Sequence, residues 1–278
     1  MATTFTNKAT LTYNGLRAVS NTVTGEIADN LTVTKSTLTD GYTTGAEKTF
    51  LVTMTNTGET PLTALTVTDD LGEYAFGETE LTPLTYIDGS ARYFVNGAQQ
   101  TAVTVTAGPP LTFTGIAVPA GGNATLIYKA AANEYAPLGA GASVTNTATV
   151  SGDALMEPAA ATAEVNADDA PQLTLTKAVE PATVTAGGTL TYTFTVENAG
   201  GAAGTADGVV FNDVFDPALT GLTVTLNGAA LPGTSYTYNA DTGAFAVNAG
   251  VITVPAATYT QTVPLTVSVA TLTVSGTV

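Results

Sequence analysis

At 278 residues, with 44% apolar and only 11% charged side chains, the chain is long enough for two domains of ordinary size and apolar enough to fill their cores. It holds no Cys, His or Trp, which removes disulfides, thiol nucleophiles, Cys/His metal sites and imidazole proton transfer. A net charge of −16 with seven Lys and Arg argues against nucleic acid and anionic membranes as partners.

The N-terminal stretch MATTFTNKATLTYNG has no basic region followed by an apolar run. It does not read as a Sec signal peptide, and no stretch is long enough to span a bilayer. Thr, Val, Ala and Gly dominate, so strands are favoured over helices. The expected fold is all-β: two tandem Ig-like β-sandwiches preceded by an N-terminal donor hairpin arm. The expected domains are residues 1–28 (arm), 29–168 (repeat 1, complete) and 169–278 (repeat 2, lacking its closing strands).

Self-comparison carries that division. Asn30–Glu59 aligns with Gln172–Gly201, Ala64–Asp70 with Gly208–Val214, Tyr93–Gln99 with Val224–Ala230, and Ile116–Ala120 with Ile252–Ala256. Asn96-Gly97 and Asn227-Gly228 are hairpin signals, and NADDAPQ (Asn166–Gln172) reads as a short linker. Repeat 1 closes with Val144–Val165, for which repeat 2 shows no counterpart before TLTVSGTV (Thr271–Val278). The counterpart lies at the other end of the chain, where Phe5–Ile27 aligns with Val144–Val165.

A sandwich without its last two strands exposes an apolar groove and unpaired backbone groups, whereas a lone hairpin is only marginally stable. The arm runs straight into the first strand of repeat 1, while the vacancy lies in repeat 2. A sandwich is roughly 40 Å long if its strands run about ten residues plus loops, so insertion into another copy is easier than folding back. That contact is heterologous and propagates head to tail. The donor residues are Phe5, Asn7, Ala9, Leu11, Tyr13, Val23 and Ile27. The simpler alternative is a docked or disordered N-terminal tail.

Strand parity places polar side chains on apolar faces. Lys35 follows Leu31 and Val33 inward, Asp69 follows Leu65 and Val67, and Asn146 lies between Val144 and Ala148. In repeat 2 the same parity selects Lys177 and Asp213, with Asn7 of the arm as the third member. A buried lysine tends to lose its proton, and a neutral amine is a nucleophile. A protonated Asp can polarise the Asn carboxamide by donating to it. The amine then displaces ammonia and leaves an amide: Lys35–Asn146 within repeat 1, Lys177–Asn7 between subunits. The blander readings are a snorkelling Lys, an Asp that starts a turn and an Asn bonded to backbone.

Asp69-Asp70 and Asp168-Asp169 read better as solvated acids than as Ca²⁺ ligands, since no loop with suitable spacing appears. No metal or other cofactor is expected. Nor is an enzyme, beyond self-modification with a single turnover.

The residues LTVTKS, TNTGE (Thr55–Glu59), LTVTDD and TNTATV resemble the bacterial conserved-repeat domain known as domain of unknown function eleven. The resemblance covers nearly all of Leu31–Val165 and, more loosely, Leu173–Val278. In repeat 2, TNTG becomes ENAGG and the closing strand is missing. The two-repeat arrangement is also similar to small proteins of clostridia-like bacteria. The resemblance implies a structural role on the cell or spore surface, in a family some of whose members carry isopeptide bonds. The expected function is a filament subunit whose partner is itself. The rival is a monomeric adhesin module using loops at the sandwich ends.

Overall fold

The computed structural model describes residues 3–27, 30–101, 103–205, 207–259 and 265–278. The arm–repeat junction at residues 28–29 and the side chain of Ile27 lie outside them. The described chain is nearly all strand, with one 3-10 turn at Gly233–Ser235.

The arm is a single long hairpin. Strand β1 (Thr3–Asn7) pairs with β4 (Val23–Ile27), and β2 (Thr10–Tyr13) pairs with β3 (Leu16–Val19), all antiparallel. Asn14 and Gly15 at its tip have φ of 46° and 83°, the left-handed pair that a two-residue hairpin turn requires. Asn14-Gly15 is thus a third hairpin turn of the same kind as Asn96-Gly97 and Asn227-Gly228, which also have positive φ at both residues. The register slips by one between Asn7↔Val23 and Thr10↔Val19. There Ser20 holds the ladder together, its N–H donating to Ala9 O at 2.9 Å and its Oγ accepting from Ala9 N at 2.8 Å.

Repeat 1 comprises β5 (Leu31–Thr37), β6 (Gly41–Tyr42), β7 (Glu47–Asn56), β8 (Leu62–Asp69), β9 (Tyr74–Phe76), β10 (Thr79–Leu81), β11 (Leu84–Tyr86), β12 (Arg92–Val95), β13 (Ala98–Gln99), β14 (Thr104–Thr106), β15 (Leu111–Val118), β16 (Asn123–Ala132), β17 (Ser143–Ser151) and β18 (Ala159–Ala167). One sheet runs β13-β12-β16-β7-β5, with β11 also on β16; the facing sheet runs β14-β15-β8-β17-β18-β6. Alternation along β7 and β16 turns Phe50, Val52, Met54, Leu126 and Tyr128 into the core, as expected of two sheets packed face to face.

Repeat 2 comprises β19 (Leu173–Glu180), β20 (Thr189–Asn198), β21 (Phe211–Val214), β22 (Thr220–Leu226), β23 (Ala229–Ala230), β24 (Tyr236–Tyr238), β25 (Ala244–Val247) and β26 (Ser268–Thr277). Its sheets are β19-β20-β26-β22-β23 and β21-β25-β24. By pairing, β26 stands where β16 stands in repeat 1, between the long second strand and the Asn-Gly hairpin. Among the described residues nothing takes the place of β17 and β18.

The linker is shorter than NADDAPQ suggests. Asn166 and Ala167 belong to β18, where they pair in parallel with Gly41 and Tyr42, and Asp168 N donates to Tyr42 O at 2.8 Å, so the linker proper begins after Asp168. Strand-end backbone groups captured by a two-residue edge strand leave no signal in side-chain composition. At the linker's last residue, Gln172 Nε2 donates to Thr44 O at 3.3 Å, and Thr44 Oγ1 donates to Ala199 O at 3.4 Å.

Candidate functional site

The inward Lys, Asp and Asn of repeat 1 come from three strands. β5 supplies Lys35, β8 ends on Asp69 and β17 supplies Asn146. β17 and β8 are hydrogen-bonded neighbours, with Ala148 opposite Asp69, while β5 lies in the facing sheet. Lys35 Nζ donates to Asp69 Oδ2 at 2.6 Å, and neither side chain is exposed. The Nζ also stands 5.2 Å from the centre of the Phe50 ring. Burial pushes the Lys35 amine below its ordinary value of 10.5, while Asp69 beside it pulls the other way. Snorkelling is therefore ruled out for this lysine.

Asp69 also does the work of a turn residue, its Oδ1 accepting from Leu71 N at 3.0 Å. The two readings of this aspartate hold together, one oxygen for the turn and the other for the amine. Its neighbour Asp70 does turn work too, with Oδ1 accepting from Gly72 N and Thr147 N, both at 2.8 Å. Among the described residues, no group of acidic side chains is arranged to hold a metal ion.

The direct Asp–Asn hydrogen bond expected from the sequence is not what the structure shows. The Tyr128 hydroxyl stands between them: it donates to Asp69 Oδ2 and accepts from Asn146 Nδ2, the latter at 3.2 Å. Tyr128 is fully buried, stacked on Phe50 at 5.5 Å and tilted against Phe113 at 5.3 Å. Burial, with the charge and hydrogen bond of Asp69, raises its phenol well above the ordinary tyrosine value. Asn146 Oδ1 is buried without a hydrogen-bond partner, an arrangement that costs about 1–3 kcal/mol.

Repeat 2 reproduces half of this site. Lys177 faces Phe194 across the strand pair as Lys35 faces Val52, and Asp213 faces Phe245 as Asp69 faces Leu111. Lys177 Nζ donates to Asp213 Oδ2 at 2.7 Å. The rings of Tyr192, Phe194 and Phe215 stand 4.8, 5.3 and 5.7 Å from the ammonium. Here the pair is open, with side-chain exposures of 43% for Lys177 and 19% for Asp213. Val274, opposite Tyr192, stands where Tyr128 stands opposite Phe50.

The opening has a simple cause. In repeat 1, β8 is flanked by β15 and β17, and β18 packs against β5. In repeat 2, β21 pairs with β25, and its other edge meets no strand among the described residues. Every residue of β19 is exposed, Leu175 to 58%. A shallow cleft lined by Leu173, Leu175, Val196, Val209 and Phe211 runs along this edge.

The donor residues of the arm are turned to solvent: Phe5, Asn7, Ala9, Leu11, Tyr13 and Val23 are all exposed. Within the single chain, Asn7 forms no hydrogen bond to Lys177 or Asp213 among the described residues. It sits in β1 opposite Val23, as Asn146 sits opposite Ala163. Two residues away, Phe5 faces Gly25 where repeat 1 has Val144 facing Val165. The Phe5 ring fills the space that a Cβ on Gly25 would occupy. One large and one absent side chain thus replace two valines.

No protein-family model matches the chain, so the conserved-repeat resemblance rests on its motifs. No curated protein matches it by sequence. Similar solved structures include the pilus backbone RrgB of Streptococcus pneumoniae, at 11% identity and TM-score 0.35, covering 44% of this chain and 31% of that one. Another is the major pilin BcpA of Bacillus cereus, at 14% identity and TM-score 0.36, covering 62% and 49%. A third is a C-terminal fragment of the major pilin of Streptococcus agalactiae, at 14% identity and TM-score 0.36, covering 82% and 79%. The chain thus spans less than half of the first two. With likeness this distant, the function has to be argued from the chain's own residues.

Proposed function

We propose that the chain is a structural subunit of an extracellular or spore-surface filament, assembled head to tail by insertion of the arm into repeat 2 of the next copy. The observation that carries this is the match between hairpin and groove. Repeat 2 has the Lys–Asp pair and an open edge on β21, and the β1–β4 part of the arm has the register, parity and Asn of the hairpin that closes repeat 1. Laid on β21 as β17 lies on β8, the arm sets Ala9 opposite Asp213, Thr10 opposite Asn212 and Leu11 opposite Phe211. Asn7 then reaches the Lys177–Asp213 pair.

Insertion covers Leu173 and Leu175 with the arm's apolar side chains and supplies a backbone ladder to β21, the physics of strand addition. Covering the pair also desolvates Lys177, which favours its neutral, nucleophilic form. Attack on Asn7 with loss of ammonia then locks the joint, as attack of Lys35 on Asn146 locks repeat 1. Such a fibre resists heat and proteolysis kinetically.

The test is removal of residues 2–27. The truncated chain should remain monomeric, with repeat 2 unfolding well before repeat 1. A synthetic peptide of residues 1–28 should bind it one to one and raise the lower transition. A truncated chain that still polymerises, or one indifferent to the peptide, defeats the reading. A full-length chain that gives one band on a denaturing gel and no fibres by negative-stain microscopy supports the monomeric module instead.

A further inference from the structure

Forming an amide between Lys35 and Asn146 requires two proton movements. The attacking nitrogen must shed protons, and the leaving nitrogen must gain one. In repeat 1 both ends of that traffic meet at one carboxylate oxygen. Asp69 Oδ2 accepts from Lys35 Nζ at 2.6 Å and also from the Tyr128 hydroxyl, which in turn accepts from Asn146 Nδ2 at 3.2 Å. The line Lys35–Asp69–Tyr128–Asn146 therefore joins the nucleophile to the leaving group without a gap. The phenol ring cannot drift, being packed between Phe50 and Phe113.

We propose that Tyr128 is a catalytic residue of the repeat 1 cross-link, carrying a proton from Asp69 to the departing nitrogen of Asn146. This rests on the cross-link reading above and adds a residue to it. The Lys35 ammonium first gives a proton to Asp69. The amine lone pair then attacks Asn146 Cγ, forming the new C–N bond as the carbonyl π electrons move to Oδ1. As the adduct collapses, the C–Nδ2 bond breaks. Tyr128 gives its proton to Nδ2 and takes the one held by Asp69, and the freed Asp69 removes the remaining extra proton from the attacking nitrogen. The products are the amide, neutral ammonia, a protonated Asp69 and an unchanged Tyr128, so atoms and charge balance without any outside reagent.

The burial that raises the Tyr128 phenol suits a relay that hands on a proton only as it receives one. Repeat 2 places Val274 at the equivalent position, so this relay belongs to repeat 1. The core parity of NATLIYKA marks Tyr128 as inward, but an inward tyrosine reads first as packing.

The experiment follows the full chain from cell-free synthesis, measuring by mass spectrometry the loss of one ammonia and the joined peptide containing Lys35 and Asn146. Tyr128→Phe keeps the ring and removes only the hydroxyl. The joined peptide should accumulate about 10²–10⁴-fold more slowly, the usual range for losing a general acid–base group. The wild-type rate should fall in heavy water, and the variant should lose that sensitivity, which a packing defect would not produce. Losing the hydroxyl unpairs Asp69 Oδ2 and Asn146 Nδ2 in the core, so Lys35→Ala/Tyr128→Phe should melt below Lys35→Ala, and the bond-forming rates are compared at a temperature where both of these chains stay folded. A Tyr128→Phe chain that forms the bond at the wild-type rate overturns the proposal and leaves the cross-link reading standing. A wild-type chain that loses no ammonia overturns both.

Discussion

Repeat 1 and repeat 2 present the same lysine–aspartate pair on the same two strands, at 2.6 and 2.7 Å, in opposite surroundings. In one the pair is sealed; in the other the lysine is 43% exposed. The first strand tells the same story, since Leu31 is 7% exposed and its counterpart Leu173 is 42% exposed. Along its inner parity β19 is at least as apolar as β5, with Val179 where β5 has Thr37, so the difference lies in what covers them. In repeat 1 the closing hairpin seals an ion pair that stands open in repeat 2. A surface pair contributes little, whereas a desolvated amine is driven toward its neutral form. In the proposed filament cover and chemistry are therefore coupled: a subunit that borrows its cover from a neighbour would react only once assembled.

The largest expected effect comes from making the repeats alike. Appending residues 4–27 after Val278 through a flexible Gly/Ser linker gives repeat 2 a hairpin of its own, at the high effective concentration that tethering provides. Fibres should disappear, leaving a monomer whose repeat 2 melts cooperatively. Size-exclusion chromatography and electron microscopy read the result. Fibres that form as before would mean that the groove is not where subunits join.

A smaller effect tests the substituted pair. Phe5→Ala removes the ring that stands in for Val144 and fills the space over Gly25. Loss of a buried Phe typically costs about 3–5 kcal/mol, so in a Lys177→Ala background the critical concentration for assembly should rise steeply. Phe5→Val with Gly25→Val restores the pairing found in repeat 1 and should recover most of the loss. If the double variant assembles no better than Phe5→Ala, the arm does not occupy the groove in the register of β17.

Much of this was legible in the residues. Parity along LTVTK, LTVTD and VTNTATV places Lys35, Asp69 and Asn146 on one interior because period two leaves no other face for them. The two repeats, and the likeness of the arm to the closing hairpin of repeat 1, follow from self-alignment. The Tyr128 bridge does not, because parity fixes the face a side chain takes but not where the hydroxyl at the far end of a long ring ends up. The exchange of Val144 and Val165 for Phe5 and Gly25 was similarly hidden. Each strand looks ordinary alone, and only the register shows one ring covering one glycine. The start of the linker differs because Asn166 and Ala167 in β18 are held by backbone pairing, to which composition is blind.

The smallest effect is a pH dependence that separates the sealed repeat from the open one. Blocking the repeat 1 cross-link with Asn146→Ala leaves Lys35 buried and free to titrate. Its folded value lies below the ordinary 10.5, so just below that pH the unfolded chain holds a proton that the fold does not. Stability therefore rises with pH across that window, by at most about 1.4 kcal/mol per pH unit for each such proton. Lys48, also lowered by burial, adds to the rise. Tyr128 and Tyr42 act the other way, because burial raises both. Above the ordinary tyrosine value of 10.0 the unfolded chain loses protons that the fold keeps, and stability falls. Urea titrations of the repeat 1 transition between pH 7 and pH 11 should show a maximum on the alkaline side. Adding Lys35→Met should flatten the rise, and adding Tyr128→Phe should shrink the fall. A repeat 1 transition that weakens steadily from neutral pH upward would show that Lys35 is not held in a desolvated site, and the contrast between the two repeats would lose its physical cause.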